Sequence, residues 1–450
     1  MAALLWLTLL LGALAYATPV NITPRNPNTN LVFCHFMLTI TTHRVSPSDY
    51  DADMALAHSY GIDAFALSIA DTPQTELQLD LAYASAASNN MKLFLSFDFS
   101  SFSPAAASRV AHLISKYVSH PAQLHIDGRV VSASSSNGTP EPDDGLDGAL
   151  SWLAWPSDGH NRAPRPGNAK QTGLDGDALY QSWLRGKPLI APVSPWFFTH
   201  YDASAPHPKN CLFPAEDQWF TRWTEILNTQ PRFVETLTWN DFGESHYVGP
   251  LSSSHVDDGA SKWVDGMPHE GWMEMARPFI QAYKEGRRQV EADEERVVYW
   301  FRGAKRGVDC DGTDTTMGVE MEGYAGGRPD GWGTVEDVVF VVVMLKEEAT
   351  VEVRSGGLMH RWEASAGASV WRVEMGVGKQ FFRLEKRGEV VMEGTARREV
   401  VDECVCGIYN FNAFVGMLPK RETGVLDERG LERFYEGLRV DCTPRAVSGW

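Results

Sequence analysis

Leu31-Val32-Phe33-Cys34-His35-Phe36-Met37-Leu38 is the run that decides the fold. It is apolar apart from His35 and shows no alternation. A run of this length and kind is a strand covered on both faces, as a parallel sheet requires. Residues 48–59 follow as a helix, with Met54, Leu56 and Ala57 on its apolar side and Gly61 as its stop. Residues 64–69 make a second strand, 77–88 a second helix, 92–99 a third strand carrying Asp98 at its end, and 105–118 a third helix. Strand and helix alternating at this spacing mean parallel βα units.

The rhythm then breaks. Residues 128–132 read as a fourth strand and residues 148–155 as the next, with only a Ser-, Pro-, Asp- and Gly-rich stretch between them. A parallel connection needs a dozen or more residues, normally a helix, and nothing helical fits there. Residues 188–198 hold a strand, 217–227 a helix, 233–238 a strand and 272–284 a closing helix. The expected fold is therefore α/β, a (β/α)8 TIM-type barrel over residues 18–286. It counts seven strands instead of eight and is short of about one βα unit near residues 133–147.

Residues 287–296 read as a linker. Beyond them the period changes to two, at 338–345, 350–354, 370–375, 380–386 and 389–392, which predicts an antiparallel β-sandwich over 297–450. The chain has six Cys. Cys310, Cys404, Cys406 and Cys442 allow three pairings, and Cys34 reads as a buried free thiol. Residues 1–17 have the character of a signal peptide with cleavage after Ala17, so a secreted, extracellular or cell-wall protein without a membrane anchor is expected, in an oxidising compartment. Two sequons, at Asn21 and Asn137, agree with secretion. The 450 residues suit two folded units, and a monomer is expected. The net charge of -18 argues against nucleic acid and anionic membranes as partners. The 15 Trp belong either to large cores or to sugar-stacking surfaces.

One stretch concentrates chemistry. After the strand 233–238 come Trp239-Asn240-Asp241-Phe242-Gly243-Glu244-Ser245-His246-Tyr247. Barrel enzymes place their reactive groups on loops at the C-terminal ends of strands. This stretch, with His35-Phe36-Met37, residues 57–67, Leu95-Ser96-Phe97-Asp98, residues 152–156, residues 191–200, and in the tail Val298–Arg302 and Tyr409–Asn412, resembles the fungal α-1,3-glucanases (mutanases) of glycoside hydrolase family 71. The resemblance covers roughly residues 30–290 and continues into the tail. It implies a barrel followed by a β-sandwich, an inverting hydrolysis of α-1,3-glucan in fungal cell walls, and Asp241 and Glu244 as the catalytic pair. Family members carry extra sequence between the segments that match Val130-Val131-Ser132 and Gly148-Ala149-Leu150, where the strand count falls short. The stretch is absent either because an exon is missing from the gene model, the favoured reading, or because this is a shortened paralogue.

Glycosidic cleavage generally needs two carboxyl groups flanking the bond. Asp241 and Glu244 lie three apart, which in a strand puts them on opposite faces, about 10 Å apart along the chain. They converge only through a turn, assigned here to Gly243. Glu244, with the longer stem, is read as the acid and Asp241 as the base, with Phe242, Tyr247 and Trp239 supplying apolar surroundings that raise the acid's pKa. Asp98 either binds a substrate hydroxyl or serves an ion pair or cap. His35 lines the pocket floor or is a core histidine. His200, Asn240 and His246 are hydroxyl partners, and Trp155 and Trp196 stack on glucose or pack. No cofactor and no metal is called for, because metal-ligand spacing, phosphate loops and nucleophile elbows are missing from the pattern. Asp309, Asp311 and Asp314 read as an acidic turn. The alternatives to a glucanase are a wall-glucan-binding protein without activity, and a hydrolase of another α-glucan.

Overall fold

The doubly covered run is β1 (Leu31–Met37), and in the computed structural model it lies at the centre of a seven-stranded sheet. Residues 30–135, 147–158, 162–164, 172–202, 205, 208–314, 316 and 327–420 are described. The leader, both sequons and Cys442 lie outside them. The other strands are β2 (Ala64–Ile69), β3 (Lys92–Asp98), β4 (Ser132–Ser135), β5 (Ala149–Leu150), β6 (Leu189–Val193) and β7 (Phe233–Thr236). Their order is β4-β3-β2-β1-β7-β6-β5, with every neighbour parallel. That order is a circle opened once, between β4 and β5. The opening falls where the sequence is one unit short.

Alternation within the strands makes two layers, as the two-residue period dictates. Phe33, Ala64, Ala66, Phe94 and Phe233 form a small inner core, with Phe33 edge-on to Phe94 at 5.1 Å and stacked on Phe233 at 5.7 Å. Val32, Cys34, Phe36, Phe65, Leu67, Leu95 and Val234 face outward into the larger core. The helices are α1 (Ser48–Ser59), α2 (Thr75–Ser88), α3 (Ala107–Tyr117), α4 (Gly173–Leu184), α5 (Gln218–Thr229), α6 (Ser261–Val264) and α7 (Glu270–Lys284). The sequence reading missed α4, because Gly173 and Gly176 lower helix propensity. Its signal was the capping box of Thr172 and Asp175. Gly176 is there for packing, since a Cβ would stand 2.9 Å from Leu153 Cβ.

Other boundaries differ as well. The fourth strand is 132–135, while residues 125–126 and 129–130 form a small hairpin. The expected strand 148–155 shrinks to β5. The expected strand 188–198 ends at Val193, and Phe198–His200 pairs instead with Asn210–Leu212 as an antiparallel hairpin.

The C-terminal part holds β8 (Arg296–Arg302), β9 (Val338–Leu345), β10 (Ala349–Ser355), β11 (Leu358–Ala364), β12 (Gly367–Glu374), β13 (Gln380–Lys386), β14 (Glu389–Thr395) and β15 (Ala413–Leu418). They form two antiparallel sheets, ordered β12-β9-β8-β15 and β11-β10-β13-β14. Both sheets contribute to one core, with the Tyr299 and Phe382 rings stacked at 3.7 Å. The opposite face of the first sheet, through Val298, Trp300, Phe340, Val342 and Val415, joins the outer core of the barrel-like sheet. Trp300 donates to the Glu216 carbonyl and Trp196 to the Phe411 carbonyl. Arg296, expected at the end of the linker, is instead the buried first residue of β8 and pairs with Glu274. Cys310 and Cys404 are bonded, and Cys34 is buried and free. Among the described residues no helix is long and apolar enough to cross a membrane.

Candidate active site

β7 ends at Thr236, before either carboxylate, so both belong to the loop that follows. The loop is pinched at its base. Thr238 N–H donates to the His246 carbonyl at 2.9 Å, and Val248 N–H to the Thr238 carbonyl at 2.9 Å. Inside it, Asp241 N–H donates to Thr238 Oγ1, and Glu244 N–H to Asp241 Oδ1 at 3.1 Å. The turn therefore brings the two carboxylates to one side. The residue that enters the left-handed region is Ser245, at φ 58°, not Gly243. Gly243 is needed for a different reason, since a Cβ there would stand 2.6 Å from Tyr201 Oη and 3.3 Å from Asp258 Oδ2.

His246 lies between the carboxylates. Its Nε2 is 3.4 Å from Asp241 Oδ2 and 3.1 Å from Glu244 Oε2. Lys209, from the 198–212 hairpin, donates to the other Glu244 oxygen at 2.7 Å, with its ammonium 4.5 Å from the centre of the Phe197 ring. The charges thus alternate as Asp241, His246, Glu244, Lys209. Burial pushes the Glu244 carboxyl up, but the Lys209 ammonium and His246 outweigh it and hold it low, at about 2. Burial pushes His246 down, but Asp241 and Glu244 overcome it and raise the imidazole to about 9. Ligand-capable atoms of Asp241, Glu244 and His246 lie within 4.8 Å of one another. By donor type these three could hold a cation, but Lys209 already supplies positive charge to Glu244.

The apolar surroundings expected around Glu244 are replaced by Lys209 and His246. The aromatics assigned to that role point elsewhere. Trp239 donates to Asp53 Oδ1 and packs on Phe65, Phe242 stacks on His255 at 4.0 Å, and Tyr247 stacks on His269 at 3.8 Å while donating to the Met267 carbonyl.

Of the residues expected to bind substrate, several are likewise interior. Trp196 is buried, donates to Phe411 and lies beside Trp272. His200 is buried between Asn210 and Asp314. Asn240 fastens the loop to the end of β1 through the Met37 N–H and carbonyl. Trp155 is buried, with its edge against the His246 ring at 5.2 Å, and supports that ring from below. Burial with satisfied polar atoms leaves these side chains no free group for a sugar. Asp98 accepts from the N–H and hydroxyl of Ser100, the cap alternative, and stays partly exposed. His35 is buried inside the barrel, its Nδ1 2.9 Å from Glu235 Oε1 and its ring edge-on to Trp152.

Sequence reasoning missed Lys209, Tyr201, Asp258 and Glu235. Only Glu235 carried a signal, a carboxylate inside an otherwise apolar strand, which needs a partner or a function. Among the described residues Ser245 Oγ and His246 Nδ1 in the loop after β7, and Glu235 Oε2 inside the barrel, are buried without a hydrogen-bond partner.

The chain is similar to known proteins over most of its length. The sequence model described as glycosyl hydrolase family 71 matches residues 28–144 and 130–427. Its two matches overlap over residues 130–144. A mutanase of Penicillium rubens is 36% identical over 417 residues, covering 86% of this chain and 88% of that protein. A glucan endo-1,3-alpha-glucosidase of Schizosaccharomyces pombe is 30% identical, covering 93% of this chain and 100% of that protein. An ascus wall endo-1,3-alpha-glucanase of the same yeast is 25% identical, covering 87% and 98%.

Proposed function

The chain belongs to glycosyl hydrolase family 71, and on that premise we propose that it hydrolyses α-1,3-glucosidic bonds of fungal cell-wall glucan, with Asp241 and Glu244 as the catalytic carboxyls. The observation that carries this reading is the pair itself, held on one side of a single turn and bridged by His246. Glu244, with two cations against it, takes the part of the carboxylate that removes a proton from the attacking water. Asp241 is the second carboxyl of the pair, on the other side of His246. His246 is fully buried and does not reach the glycosidic oxygen; it sets the spacing and charge of the pair.

Inversion follows from the family resemblance. It requires the carboxyls to stand about 6.5–9.5 Å apart, with room for a water. The oxygens now approach within 4.8 Å. Inversion therefore requires the two carboxyl groups of the bound complex to hold that wider spacing. The anomer released first, read by NMR, tests this.

The chain divides in this reading into a catalytic unit over 18–286 and a β-rich unit over 297–450. Its apolar leader and its disulfide fit a secreted protein. No cofactor is invoked. A second reading, a glucan-binding protein without activity, draws on the seam between β4 and β5, which are not paired with each other among the described residues. Reducing-sugar release from insoluble α-1,3-glucan, against β-glucan and starch, separates the readings. Asp241→Asn and Glu244→Gln should each lose roughly 10²–10⁴-fold in rate while folding normally. Equal release by wild type and both variants would sink the assignment.

A further inference from the structure

The hairpin that delivers Lys209 does not stand alone. Its strands pair Asn210 with His200, Cys211 with Thr199 and Leu212 with Phe198, and Tyr201 N–H donates to the Lys209 carbonyl at 2.8 Å. Lys209 and Tyr201 therefore flank the last pair of the ladder, Asn210 and His200. Both members of that pair are bonded to the C-terminal part of the chain. His200 Nε2 lies 2.7 Å from Asp314 Oδ2, with both side chains sealed from solvent. His200 Nδ1 lies 2.7 Å from Asn210 Oδ1, and Asn210 Nδ2 donates to the Gly327 carbonyl at 2.9 Å. The ring is thus held between Asn210 Oδ1 and Asp314 Oδ2.

Asp314 is itself fixed from behind. Its oxygens accept from Tyr409 N–H at 2.7 Å and Thr316 N–H at 2.9 Å. Its own N–H donates to the carbonyl of Cys310, which is bonded to Cys404. Burial raises the Asp314 carboxyl, and His200 with the two N–H donors outweighs this and holds it low. Two further backbone bonds, Leu212 N–H to the Asp330 carbonyl and Asp330 N–H to the Asn210 carbonyl, run along the same hairpin edge.

We propose that Asp314 is a positioning residue for the carboxylate site: through His200 and Asn210 it holds the hairpin that sets Lys209 against Glu244 and Tyr201 against Gly243. The C-terminal part is then a component of the catalytic centre. The inference rests on Glu244 working as a carboxylate. A salt-bridged pair without this task would contribute to stability alone.

The test reads the acid limb of kcat/KM against pH on the full chain. The charged and titratable groups facing Glu244 are Asp241 and His246 from its own loop and Lys209 from the hairpin, with Tyr201 and Asp258 beside Gly243. Lys209→Met should move the acid limb up by at least about 1 pH, since an opposing charge at this range lowers a carboxyl by about 1–3. Asp314→Ala should move it the same way, and Asp314→Ala/Lys209→Met should move it no further than Lys209→Met alone. Should Asp314→Ala not fold, Asp314→Asn keeps the shape and removes the charge, and a smaller shift in the same direction is expected. An unmoved limb in the Asp314 variants, whatever their loss of stability, overturns the proposal. An active Glu244→Gln overturns the underlying reading instead, so the two failures are distinct.

Discussion

His246 should remain a cation through neutral pH. Its ring is fully buried, which by itself favours the neutral form, and Nδ1 has no partner in the protein. Protonating it leaves an unpaired buried N–H, at a cost of about 1–3 kcal/mol. Against this stand two carboxylates at 3.1 and 3.4 Å from Nε2. Each is worth roughly 5 kcal/mol of gross attraction at an effective dielectric near 20. The carboxylates win, and the imidazole rises from 6.5 to about 9. That displacement corresponds to about 3 kcal/mol of stability. The folded value is raised, so the contribution is complete below pH 6.5 and is lost as pH climbs through 9. The measurement is the Cε1–H titration in 13C-histidine-labelled protein. The 13 His make an assignment by His246→Phe necessary. Urea denaturation at pH 6 and pH 10 supplies the second readout. The gap between wild type and His246→Phe should be larger at pH 6 by about 3 kcal/mol. A titration at or below about 6.5, or a gap that does not depend on pH, refutes the charge alternation on which the site description rests.

Gly243→Ala should cost about 1–3 kcal/mol through overpacking against Tyr201 and reduce kcat, while Ser245→Gly should be neutral or stabilising because φ 58° is left-handed. Denaturant midpoints of the two variants check this, and a silent Gly243→Ala would mean that Tyr201 yields without consequence. Glu270, at the start of α7, has its carboxyl pushed by burial to about 7, although the N–H groups of His269 and Glu270 pull it down. The folded value is raised, so stability is lost as pH rises from 4.5 through 7, and Glu270→Gln should stabilise the protein at pH 8.5 by up to about 3 kcal/mol and by little at pH 5. Thermal melts at both values read it, and equal effects at both would refute it.

The parallel strands were legible because burial on both faces writes an apolar run into the chain, and β1, β2 and β3 carry such runs. The short β5 did not, since two residues are too few to show a pattern. α4 stayed hidden because Gly176 answers to Leu153, a contact that local propensity does not contain. Among the aromatics, Trp155, Trp196 and Trp239 carry no local mark that separates a sugar platform from a core. All three are buried with the indole N–H bonded.

What the sequence determined by itself was the βα succession, the place where that succession breaks, and the crowding of two carboxylates and a histidine after the last strand of the sheet. These are local properties: which faces are apolar, where the chain turns, which residue types sit within a few positions. What only the tertiary structure decided was which charges stand against Glu244. Lys209 reaches Glu244 from 35 residues away, and Asp314 reaches the same hairpin across 114. A carboxyl's protonation depends on the sum of burial and neighbouring charge in space. That sum is set only when the hairpin, the loop after β7 and the C-terminal part of the chain have packed together.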